Sequence, residues 1–65
     1  MFSKDQFVEF FNLVNKSGSA NQIDRIHARL EMPQFIEAVG REKCDRMWEL
    51  IKNGVTPSTF TEDMQ

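Results

Sequence analysis

Helix punctuation constrains this chain more than any other feature. Ser3-Lys4-Asp5-Gln6 sets a serine three residues before a glutamine, the reciprocal pattern that satisfies two free amides at a helix N-terminus. Asp5 adds a negative charge where the helix dipole is positive. Lys16-Ser17-Gly18 can close that helix through a left-handed glycine, and Ser19-Ala20-Asn21-Gln22 repeats the capping pattern to start another. Pro33 lacks an amide donor and disfavours helical geometry at Met32, so the second helix should stop near Leu30 and a third begin at the proline. Lys52-Asn53-Gly54 ends that third helix. These signals predict helices near 4–16, 20–30 and 33–52, the last either continuous or bent near 40–44, and no β-hairpin signal or internal repeat competes with them. The expected class is all-α, a small three-helix domain over residues 1–54. Residues 55–65 have no apolar period and read as a flexible or loosely docked tail.

Apolar spacing agrees with the punctuation. Phe7, Phe11 and Val14 form a stripe with Phe10 beside it, and Val8 and Leu13 widen the apolar arc to about 220°, more than a surface helix needs. Such a helix is either central in the fold or keeps part of its face for a partner. Ile23, Ile26 and Leu30 follow i, i+3, i+7 and are expected to be the inward stripe of the second helix. Arg25 and Arg29, four apart, fall on its other side. Ile36, Val39, Gly40, Cys44, Met47 and Ile51 give the third helix its inner face, while Glu37 with Arg41 and Glu42 with Arg46 form i, i+4 pairs outside.

A chain of 65 residues is one domain at most, with little room for a catalytic cleft. It has no glycine-rich phosphate loop, no nucleophile with a base at plausible spacing and no paired metal ligands, so the reading is non-enzymatic, without cofactor or metal. Cys44 is the only cysteine and His27 the only histidine, which excludes an internal disulfide and a zinc site within one chain. Cys44 reads as a small core residue, and a reducing cytoplasm fits its lone thiol. A net charge of −2 disfavours a general nucleic-acid coat, no apolar run approaches a membrane span, and no signal peptide is visible.

The segment Ile26-His27-Ala28-Arg29-Leu30-Glu31-Met32-Pro33 allows an alternative. It resembles the core of a helix-turn-helix, with His27 at the usual small alanine and Glu31 at the turn glycine. On that alternative the protein is a small DNA-binding regulator, and Arg29 and Gln34 are the candidate DNA contacts. Self-association through the wide first-helix face, giving a homodimer, is a further alternative.

Around the same proline, Arg29, Met32-Pro33, Glu37-Ala38-Val39 and Arg41-Glu42, followed by Met47 and Ile51, resemble the theta subunits of bacterial DNA polymerase III and their bacteriophage-carried homologues. The resemblance spans roughly residues 26–51. Elsewhere the chain departs from the family: Ile26 replaces an aromatic, Ser17-Gly18-Ser19 interrupts a longer first helix, Cys44 stands near an absent proline, and the basic C-terminal tail is missing. The resemblance implies a three-helix accessory protein of the bacterial cytoplasm, phage- or plasmid-encoded, that binds the proofreading 3′–5′ exonuclease subunit. Phe7, Phe10, Phe11 and Val14 of the first helix, with Arg25 and Arg29 of the second, are the candidate partner-binding residues, Phe10 foremost.

Overall fold

A computed structural model describes residues 1–64; Gln65, the last residue of the expected tail, lies outside them. Three helices make up the domain: α1 (Lys4–Ser17), α2 (Gln22–Val39) and α3 (Arg41–Lys52), followed by one 3₁₀ turn at Glu62–Met64. No strand occurs among the described residues, so the all-α, three-helix expectation holds. The boundaries inside it differ.

α1 begins where its capping box predicts. The Ser3 hydroxyl oxygen accepts from the Gln6 amide at 3.2 Å, and the Ser3 amide donates to Gln6 Oε1 at 2.9 Å. Its end needs no left-handed residue: Gly18 has φ −99°, and its amide donates to the Val14 and Asn15 carbonyls. The second capping box does not form. Ser19 Oγ accepts instead from the Asn21 amide at 3.0 Å, and Asn21 Oδ1 accepts from the Ile23 amide at 2.9 Å, so α2 starts at Gln22.

The larger correction concerns Pro33. α2 does not stop near Leu30 but runs through the proline to Val39. Pro33 is exposed, as is Arg29, whose carbonyl loses its helical partner to the proline; on this outer side water can hydrate that oxygen. On the inner side Phe35 is buried and Met32, Ile36 and Val39 pack against the core, which offsets the lost hydrogen bond. The chain breaks at Gly40 instead, the place the bend alternative allowed. Gly40 has φ 109° and ψ 139°, its amide donates to the Ile36 carbonyl at 2.8 Å, and its carbonyl accepts from Cys44 at 3.1 Å. One residue thus closes α2 and opens α3.

α3 ends as its Lys52-Asn53-Gly54 signal predicts. Gly54 takes φ 89°, its amide donates to the Ile51 carbonyl, and Val55 reaches back to the Leu50 carbonyl at 3.0 Å. Of the two expected ion pairs, Glu37 and Arg41 stand on opposite sides of the Gly40 break, and Arg46 pairs with Glu49 at 3.4 Å rather than with Glu42.

The four-residue connection between α1 and α2 makes them antiparallel neighbours. Phe10 meets Phe35 across them with ring centroids 5.8 Å apart. The core comprises Phe2, Phe7, Phe10, Leu13, Phe35, Cys44, Met47, Leu50 and Phe60, with Phe7 and Met47 wholly buried. Two of these, Phe2 and Phe60, come from outside every helix. Phe60 stacks on Phe7 at 4.6 Å and 13°, and Phe2 lies 5.8 Å from Phe60. A turn at Thr56–Phe60 sets the ring, with the Phe60 amide donating to the Thr56 carbonyl at 2.8 Å. Val55 and Met64 also pack on the core, so packing does not stop at residue 54.

Candidate protein-docking face

Successive α2 residues are 100° apart around the helix. Ala28, Met32, Phe35 and Val39 therefore share one face, and this is the face turned to the core. Ile23, Ile26 and Leu30 share the opposite face. They are 62%, 48% and 63% exposed, three large aliphatic side chains in a row in water. The sequence expectation that this stripe points inward is therefore overturned. Its cause is the uncut helix: once α2 continues past Pro33, Phe35 and Val39 line up with Ala28 and Met32 and take the inner face.

Charge flanks the stripe unequally. Arg25 and Arg29 lie along one edge, both exposed, and Asp24 and Glu31 lie along the other. Arg25 Nη1 donates to the Ser19 carbonyl at 2.8 Å, which holds the guanidinium toward the end of α1. Asp24 accepts from the Ser19 hydroxyl at 3.3 Å. An open groove runs along the arginine edge, between the end of α1 and α2, lined by Ser17, Gln22, Arg25, Ile26, Arg29 and Met32 with Ala28 at its floor. His27 is exposed beside the stripe.

The other candidate residues divide differently from expectation. Phe7 and Phe10 are core, with Phe10 packed on Phe35, so Phe10 is not an exposed anchor. Phe11 and Val14 are half-buried against the same core. Arg25 and Arg29 are exposed and line the groove beside the end of α1. Gln34 is exposed, but no turn separates it from Arg29, because residues 29–34 are continuous helix. The helix-turn-helix geometry is therefore absent.

Cys44 is buried, and burial, with a smaller push from the Asp45 carboxylate, raises its thiol above the ordinary range and keeps it protonated. Among the described residues no group of three or more histidine, cysteine or acidic side chains could hold a metal ion, and no helix is long and apolar enough to cross a membrane. No family model, curated protein or solved structure matches the chain.

Proposed function

We propose that this protein is a non-enzymatic accessory module that binds another protein through the outer face of α2. The observation that carries the reading is the exposed Ile23, Ile26, Leu30 stripe. Apolar anchors at i, i+3 and i+7 on one helix are the pattern with which helices engage apolar surfaces of partners. In a chain this small, large aliphatic side chains left outside the core need a use elsewhere.

The theta-like pattern supplies the partner. On it, the protein binds the proofreading 3′–5′ exonuclease subunit of a bacterial replicative polymerase, in the bacterial cytoplasm. Arg29 of that pattern lies beside the stripe, and the rest of the pattern falls on the later part of α2 and on α3.

The test is a titration of the isotopically labelled chain with that exonuclease subunit, read by amide shifts. Shifts centred on Ile23–Leu30 are expected, with loss of binding in an Ile23→Gln, Ile26→Gln, Leu30→Gln variant. An unperturbed spectrum would remove the exonuclease assignment. Binding unaffected by the triple substitution would remove the α2 face.

A further inference from the structure

Resting on the docking reading of α2, we infer that its partner presents an amphipathic helix with a carboxylate-bearing edge, laid along the groove between α2 and the end of α1 so that its acids meet Arg25 and Arg29. The stripe and the groove share Ile26, and Met32 and Ala28 continue the apolar floor inward. The groove contains two guanidinium groups and no carboxylate. The Arg29 guanidinium makes no hydrogen bond or ion pair among the described residues, and Arg25 is steadied by the Ser19 carbonyl with donors to spare. Guanidinium groups matched to carboxylates give charge-assisted, geometrically specific pairs. The site thus combines an apolar floor with an unmatched cationic edge.

A second copy fits this face poorly. Two-fold pairing of antiparallel α2 helices sets each flank against its own copy, arginine to arginine and carboxylate to carboxylate. Parallel pairing on the stripe would match the flanks but would leave the groove floor of Ala28 and Met32, on the other side of α2, without a partner. A foreign helix seated in the groove covers Ile26, the floor and the arginine edge together. DNA is disfavoured because the chain carries a net charge of −2 and the groove sets only two guanidinium groups beside apolar side chains.

Two synthetic helical peptides with the same leucines at i, i+3 and i+7, one carrying glutamates along one edge and the other lysines, test this against the labelled full chain. The glutamate peptide should shift the amides of Ser17 and Gln22–Met32 and bind on the order of tenfold more tightly than the lysine peptide at low salt, the preference shrinking as salt rises. The order of preference should invert in an Arg25→Glu, Arg29→Glu variant, whose changes are both exposed. Equal binding of the two peptides on α2 overturns the acidic partner while the docking face stands. Glutamate-peptide binding that survives Ile26→Gln overturns the docking face itself. No binding, shifts away from α2, tighter binding of a short DNA duplex, or a dimer by sedimentation at the same concentrations would each overturn the inference.

Discussion

Gly40 and Gly18 look alike in the sequence and differ in kind. Gly18 has φ −99°, open to any residue, whereas Gly40 has φ 109°, which side chains with a Cβ avoid. No atom lies within 4 Å of where a Cβ at Gly40 would stand, so a substitution there meets backbone strain alone. Gly40→Ala should therefore cost about 1–3 kcal/mol by urea unfolding, and Gly18→Ala less than about 1 kcal/mol. Equal effects would mean that the break between α2 and α3 is not held at this residue. Cys44 gives a second prediction at this scale. Its folded thiol ionises at higher pH than the unfolded one, so its contribution is intact below the ordinary thiol range and is lost as pH rises from that range through the raised folded value. The urea midpoint of the protein should fall on alkalinisation more steeply than that of Cys44→Ala, and parallel pH profiles would contradict the buried thiol.

At the scale of the helix, the costs and gains along α2 explain what the sequence made readable and what it hid. The Ser3 capping box and the Gly54 terminus are settled by residues within a turn of each other, and both could be read directly. Pro33 could not, because its cost depends on which side of the helix it faces and on what Phe35 and Val39 bury beyond it. Cutting the helix there also detached those residues from Ala28 and Met32, leaving Ile23, Ile26 and Leu30 as the only visible inner face. Pro33→Ala should raise stability by on the order of 2 kcal/mol, the roughly 3 kcal/mol interior penalty less the entropy that proline removes from the unfolded chain. A lower urea midpoint would show that α2 does not run through this position. Glutamine at Ile23, Ile26 and Leu30 should each change stability by no more than about 0.5 kcal/mol, the range of exposed sites. Larger losses in the same measurement would place these side chains in the core after all.

At the scale of the molecule, the core is completed by two rings that no periodicity could announce. Phe2 precedes the first helix and Phe60 follows the last, and only the folded chain brings both beside Phe7. Phe60→Ala should cost about 3–5 kcal/mol, comparable to the whole stability expected of so small a domain, and a melt followed by circular dichroism should lose its cooperative transition or shift far down. A small change in that melt would mean that the ring contributes little to the core. The stack has a consequence for how the molecule opens. Residues far apart in sequence share a single clasp, so the segment after α3 cannot detach without uncovering Phe7 in the first turn of α1. Fraying from that end is therefore coupled to the loss of the core. Deuterium should enter the Phe60 amide no sooner than it enters the middle of α1.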